Sequence, residues 1–442
     1  MTQDRREDPR EARRWALYGW ANHGWVTTVS TVLIGPWLLA LATHHRSGSA
    51  TLFSVGPFGV RADAYPSLMI SLAAVAQLFV LPPVGALVDR TRSRRRWLVL
   101  ACLAGSAVAA SLAATSGTDW LAAGLLFIAG TVVFGASDIA YNSFLPEIAP
   151  AGRRDAVSSL GFAYGYTGAG VLLAVNLALI ALHGPLGIAK STAVRVCFIS
   201  AGVWWAGFGV WALRGVREWQ GASRGEHGPW RQLWAGLRLL GSMRTTRRYL
   251  LAYLLFADGI SSVIALSSTY ITHELFGNSA TRASTFLFTL ILLIQFIAVA
   301  GSLVLARLAA RFGAQRTIMG SLVVWCLIII YAYAVLRTKA EAVGLGVVMG
   351  LVLGGSQALA RSLYSQLIPA GLEATFFGLY EVANEGTAWI APLLFTVVVN
   401  ATGSYRQAIL SLLVLFVAGS ILLARTRLEP IAADGGVAQG RR

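Results

Sequence analysis

Apolar positions gather into twelve long runs along the chain, separated by short polar breaks. The runs lie at roughly 15–42, 65–88, 97–115, 120–141, 158–182, 192–213, 248–272, 283–306, 317–336, 343–363, 376–400 and 406–424. A helix of about 20 apolar residues, rising ~1.5 Å per residue, matches the ~30 Å hydrocarbon core of a bilayer. Each run therefore predicts one membrane-crossing helix, and the polar breaks between them alternate between the two faces.

Charge fixes the direction of threading. With the N-terminus in the cytoplasm, 28 of the 36 Lys and Arg residues fall on the cytoplasmic side. The exceptions are Arg46, Arg61, Lys190, Arg195, Arg282, Arg337, Lys339 and Arg406. This asymmetry is the positive-inside signature, and a missed span would scramble it. Both termini are thus expected in the cytoplasm, with the chain in a bacterial cytoplasmic membrane.

Composition agrees. The chain is 56% hydrophobic and 13% charged, against about 25% charged for a soluble domain. Its net charge of +16 does not indicate nucleic acid, because the cations are spread over short loops and form no single face. Orientation and attraction to anionic lipid, worth roughly 1 kcal/mol per cation near the surface, account for it. Met1 to Arg14 is polar, and a long span without a small-residue cleavage site follows, so the first helix is expected to remain. Cys102, Cys197 and Cys326 lie within spans without paired spacing and read as packing residues.

The expected organisation is an N-terminal tail 1–14, a six-helix bundle 15–213, a connector 214–247, a second six-helix bundle 248–424 and a tail 425–442. The connector carries an arginine-rich stretch and a predicted surface-lying amphipathic helix over Trp230 to Leu240. An internal repeat supports the division. Gly135, Ser137, Ser143, Pro150, Ala151 and Gly152 recur at a constant offset of 219 as Gly354, Ser356, Ser362, Pro369, Ala370 and Gly371. Both copies end the fourth span of their half, and repeat-built halves are common in transporters.

The stretch from Gly85 through Asp89, Arg90 and Arg94 to Arg96 resembles the cytoplasmic loop motif of the major facilitator superfamily. That resemblance implies that the Asp interacts with the positive end of a neighbouring helix and steadies one conformation. Arg92 replaces the motif's usual glycine, and Ala310 stands at the Asp position of a second basic turn, Leu308 to Arg316. Four further segments resemble the vacuole effluxer-like family of that superfamily. They are Trp15-Ala-Leu-Tyr18 with Trp20-Ala-Asn22, Tyr141-Asn142 through Pro146-Glu147, Phe256-Ala-Asp258-Gly259, and Phe377-Gly378-Leu-Tyr380 with Pro392 to Phe395. The resemblance implies solute efflux, with amino acids favoured. Relatives often carry an acid where Gly19 stands and a cation where Glu385 stands, which implies a different charge layout here.

Charged groups at bilayer depth are costly against lipid, so they face a cavity or a partner. Asp258 lies near the midplane of the seventh span. It reads as a protonatable or substrate-contacting carboxylate, or as a hydrogen-bonded pin between helices, with Gly259, Ser261 and Ser262 expected to loosen the helix. Asn22 and His23 in the first span read as symmetric counterparts facing the same cavity, or as packing residues. Glu381 and Glu385 share one helical face beside Asn384. Glu385 reads as a proton or cation site, or as a group that recognises a basic group on the substrate, and Glu381 as an interfacial partner of Arg361. Asp138 and Arg361, near the cytoplasmic ends of the fourth and tenth spans, read as gate contacts or a structural pair. Asp89, Arg90 and Arg94 complete the expected latch. Glycines 161, 165, 168 and 170 and glycines 346, 350 and 354 predict close helix packing.

No phosphate-binding loop, His-Glu-x-x-His or Cys-x-x-Cys occurs. The chain is therefore expected to be no enzyme, to hold no cofactor or metal, and to draw on a proton or other ion gradient. The expectation is an all-α monomer of twelve membrane helices in two pseudo-symmetric bundles, moving a small solute through a central polar cavity by alternating access. An exporter of hydrophobic drugs or lipids and a non-transporting sensor or scaffold remain as alternatives.

Overall fold

The computed structural model describes residues 8–426 except 47–49, 56–57, 92, 218–227, 278 and 386–389. Among the described residues, eleven helical segments are long and apolar enough to cross a membrane: Pro9–His45, Ala62–Arg90, Arg94–Leu112, Trp120–Ile148, Ala151–Ala181, Lys190–Leu213, Arg244–Phe276, Arg282–Phe312, Ala314–Ala334, Lys339–Ser365 and Tyr405–Ala424. Glu373–Glu385 and Ile390–Thr402 occupy the remaining place. The twelve expected crossings are present, and these two helices are the described parts of the eleventh. The face carrying Arg90 to Arg96 is called the basic face below.

Local signals set the helix ends. Ser93 caps the third crossing, its side chain accepting from Arg96 N–H. Thr338 and Glu341 form a reciprocal capping box at the tenth. Gly313, at φ 88°, turns the chain between the eighth and ninth, a conformation that L side chains rarely adopt. The seventh crossing, Arg244–Phe276, has 33 residues, or roughly 50 Å at ~1.5 Å per residue, and so extends beyond the hydrocarbon core.

Three features depart from the sequence pattern. The first crossing changes winding over Trp25–Leu33, a nine-residue π-helical stretch closed by Ile34 N–H donating to Val29 O. Thr31 Oγ1 also donates to the carbonyl five residues back, on Val26. Such stretches are rare and concentrate at functional sites. Second, the seventh crossing runs unbroken through Gly259, Ser261 and Ser262, so the expected loosening after Asp258 does not occur. Third, two short antiparallel strands, Thr51–Val55 and Phe58–Arg61, cover the opposite face, where Phe53 stacks on Trp120 at 5.6 Å.

The fold places two six-helix bundles side by side. They meet along two seams: the second crossing against Glu373–Glu385, and the fifth against the eighth and tenth. A Cβ on Gly85 would sit 2.3 Å from the backbone oxygen of Ala374, so only glycine permits this approach. The other glycines work mostly within a bundle. Gly161, Gly165 and Gly168 receive Trp15, His23 and Trp20 of the first crossing, and Gly346 and Gly350 receive Leu290 and Ile297 of the eighth. Gly170 and Gly354 reach across the seam, to Phe296 and Tyr166.

The amphipathic helix of the connector is present as Pro229–Ser242. Leu233 packs on Ala86 and Leu379, and Gln232 Nε2 donates to Thr375 Oγ1 at 3.3 Å. Trp230 and Trp234 remain exposed. The helix thus rests on the second crossing and the start of the eleventh.

Candidate transport pathway and gate

The basic face is sealed by a charged lock. Asp89 ends the second crossing and accepts three hydrogen bonds from across the seam: Ala374 N–H at 2.9 Å, and Thr375 N–H and Oγ1 at 2.6 Å each. These amides lie in the first turn of Glu373–Glu385, where helical N–H groups lack internal partners and the dipole favours an anion. Arg94 starts the third crossing. It contacts Asp89 at 3.0 Å, Glu147 at 2.6 Å and Glu373 at 2.9 Å. Arg94 is 2% exposed and Asp89 4%, so solvent screening is weak and removal of one partner leaves a buried charge. Two of the three expected latch residues meet here. The third, Arg90, makes no hydrogen bond through Nη1 among the described residues. Glu147 and Glu373 were not singled out from sequence, and only the Pro146-Glu147 motif hinted at one of them.

One layer deeper, Asp138, Asn142, Arg361 and Glu381 form a connected polar network. Arg361 Nη1 donates to Asn142 Oδ1 at 2.9 Å. Asn142 Nδ2 donates to Asp138 Oδ2 at 2.9 Å and to Glu381 Oε1 at 3.3 Å. Arg361 Nε and Nη2 donate to Ser158 Oγ and Ser158 O, at 3.0 and 2.9 Å. The expected association of Arg361 with Glu381 is therefore bridged by Asn142. Trp15, Tyr141 and Phe162 place their rings 5.0, 5.4 and 4.4 Å from the guanidinium carbon. Trp15 and Tyr141 stack at 4.3 Å, and Trp15 Nε1 donates to Tyr141 O.

Further bonds join the halves near this network. Arg154 Nη1 donates to Ser365 O at 2.8 Å, Ser158 Oγ to Ala358 O at 2.7 Å, and Tyr166 OH to Gln357 Oε1 at 2.6 Å. Gln295 Nε2 donates to Thr27 Oγ1 in the π-helical stretch at 2.8 Å. The described inter-half hydrogen bonds crowd toward the basic face, so this is the closed side.

The remaining candidates lie above the lock. Asn22 is fully buried, and its amide oxygen and nitrogen have no hydrogen-bond partner among the described residues. His23 stands edge-on to Phe162 and Tyr166, at 5.8 and 6.1 Å. Asp258 is fully buried. Its Oδ2 accepts from Ala391 N–H at 3.2 Å, while Oδ1 has no partner among the described residues. It thus touches the second helix of the eleventh crossing. Asn384 Oδ1 accepts from Tyr253 OH at 3.0 Å, and Tyr253 stacks on Tyr380 at 4.1 Å. The Glu385 side chain lies outside the described residues. No described hydrogen bond joins Asn22 or His23 to Asp258. No group of three or more His, Cys, Asp or Glu residues able to hold a metal occurs among the described residues.

A twelve-helix, two-bundle membrane protein with inter-half locks on one side and unpaired buried polar groups above them belongs to the class of major facilitator-type transporters. Solved structures agree on the fold. The major facilitator transporter FucP, in its outward conformation, superposes with a TM-score of 0.68 over 93% of this chain and 97% of its own, at 15% identity. The proton:xylose symporter XylE superposes with a TM-score of 0.68 over 94% of each chain, at 16% identity. The family model "Vacuole effluxer Atg22 like" matches residues 7–152 and 149–431. The chain belongs to that family. "Uncharacterized MFS-type transporter YxiO" of Bacillus subtilis (strain 168) is 25% identical over 94% of both chains. "Autophagy-related protein 22-2" of Aspergillus niger is 24% identical over 82% of this chain and 76% of its own.

Proposed function

We propose that the protein exports a small polar metabolite, amino acids or similar solutes, across the bacterial cytoplasmic membrane by proton-coupled alternating access. The basic face is taken as cytoplasmic, with both termini there. The observation that carries the reading is the one-sided lock: Asp89, Arg94 and Arg361 tie the halves together near the basic face. Opening that side requires those bonds to break, which is the transition that alternating access demands. The family description, vacuole effluxer, supports the direction, and the proton-coupled symporter of the same fold supports the energy source.

Asp258 is the proposed proton site. It is buried, one of its oxygens has no partner among the described residues, and the other touches the helix Ile390–Thr402. Asn22 and His23, on the first crossing of the other half, are proposed to face the same route. One charge moving through 100 mV releases about 2.3 kcal/mol, enough for roughly fifty-fold accumulation. The test is solute flux in proteoliposomes under an imposed pH gradient. The reading expects gradient-driven amino-acid flux in the wild type, and flux insensitive to pH in Asp258→Asn. Unchanged pH dependence in Asp258→Asn contradicts the assignment of the proton to Asp258.

A further inference from the structure

We propose that the aromatic box now occupied by Arg361 is a binding site for the cationic group of a substrate, a guanidinium or ammonium, and that Arg361 and the substrate take turns in it. This rests on the alternating-access reading and specifies the substrate class for it.

The argument begins with which half supplies each contact. The rings around the guanidinium belong to the first, fourth and fifth crossings: Trp15, Tyr141 and Phe162. Its acceptors, Asn142 Oδ1, Ser158 Oγ and Ser158 O, lie on the fourth and fifth. All of these stand in the N-terminal half. Arg361 itself comes from the tenth crossing, in the C-terminal half. The box is thus a complete cation receptor on one body, filled by a side chain of the other. Arg361 is 3% exposed, so the receptor is fully desolvated, the setting in which ring faces attract cations most strongly.

Separation of the halves at the basic face withdraws Arg361 with its helix. The rings and acceptors stay behind, fixed to one another by the Trp15–Tyr141 stack and the Trp15 Nε1 to Tyr141 O bond. Asp138 stays as well, one helical turn from Asn142 and bonded to it. The vacated box then presents ring faces, a forked set of acceptors and an uncompensated carboxylate to the cytoplasm. An incoming guanidinium reproduces each contact that Arg361 made. A neutral side chain of the same shape gains none of the charge terms and leaves acceptors unpaired.

The exchange also gives direction. Re-closure returns Arg361 to the box and displaces the bound cation. Phe162 contacts both Arg361 and His23, so the displaced cation leaves past His23 toward the opposite face. Substrate and Arg361 exclude each other, so the basic face closes fully only after the substrate has moved on.

Counterflow in proteoliposomes tests this with arginine and with citrulline, its neutral counterpart of similar length. Wild type loaded with unlabelled arginine should accumulate external labelled arginine, and citrulline should not compete. Phe162→Leu should reduce the preference for arginine over citrulline about ten-fold, the loss expected for one desolvated cation–π contact. Trp15→Phe, which keeps an aromatic face, should retain most of the preference. Exchange of neutral amino acids with no exchange or inhibition by arginine overturns this proposal and leaves the transport reading standing. Equal competition by citrulline, or an unchanged preference in Phe162→Leu, also overturns it. Exchange of no solute at all removes both readings.

Discussion

Arg361 Nη1 donates to Asn142 Oδ1 at 2.9 Å, and the two residues are 219 positions apart, the same offset that relates the two copies of the internal repeat. Equivalent residues of the two halves therefore touch each other where the halves meet. The sequence differs at this pair, a cation in one copy and an amide in the other. Asymmetry at a symmetric contact lets one half act as donor and the other as receptor.

That arrangement predicts a strong dependence on the cation. Arg361→Met should destabilise the purified protein by about 3 kcal/mol, because Asp138 and Glu381 lose their buried counter-charge. Adding Asp138→Asn should recover part of the loss. Thermal unfolding of the single and double variants measures the coupling. Additive losses would show that Asp138 and Arg361 act independently.

Asp89→Asn keeps the size of the side chain and removes its charge from the amides of Ala374 and Thr375. Hydrogen bonds to charged groups contribute about 1.5–3 kcal/mol, so the closed state should lose roughly ten-fold or more in population. A cysteine placed at Ser362, fully buried beneath the lock, should then be alkylated from the basic face about ten-fold faster. An unchanged labelling rate would show that Asp89 is not a lock.

Gly85→Ala should act in the same direction by a different cause. Its Cβ would stand 2.3 Å from Ala374 O, a backbone atom that cannot rotate away. The seam must part, and labelling at Ser362 should rise as in Asp89→Asn. Gly207→Ala is the control, because a Cβ there meets nothing within 4 Å. Equal behaviour of the two alanine variants would contradict the steric account.

The spans were legible in the sequence because hydrophobic length and loop charge are local properties. The polar residues within the spans were legible for the same reason: Asp138, Asp258 and Arg361 stand out against apolar runs. Their partners were not. Ser158 looks ordinary in sequence and gains its role only through contact with Arg361, 203 positions away, as Glu373 does through Arg94, 279 positions away. The Asp89 contact with a helix N-terminus followed from the family resemblance and could not have come from spacing. The π-helical stretch was hidden because its residues, Trp25–Leu33, are uniformly apolar or small and carry no Gly or Pro.

The central claim is that the two faces open in turn, and paired distances across both faces test it most directly. Spin labels at Thr91 and Leu372 flank the lock on the basic face, and labels at Ser116 and Arg337 flank the opposite side. Electron–electron resonance distances in nanodiscs should shift reciprocally when arginine is added or the lock is broken by Asp89→Asn: longer for the first pair, shorter for the second. Distances that stay fixed in both pairs, or that lengthen together, would contradict the account.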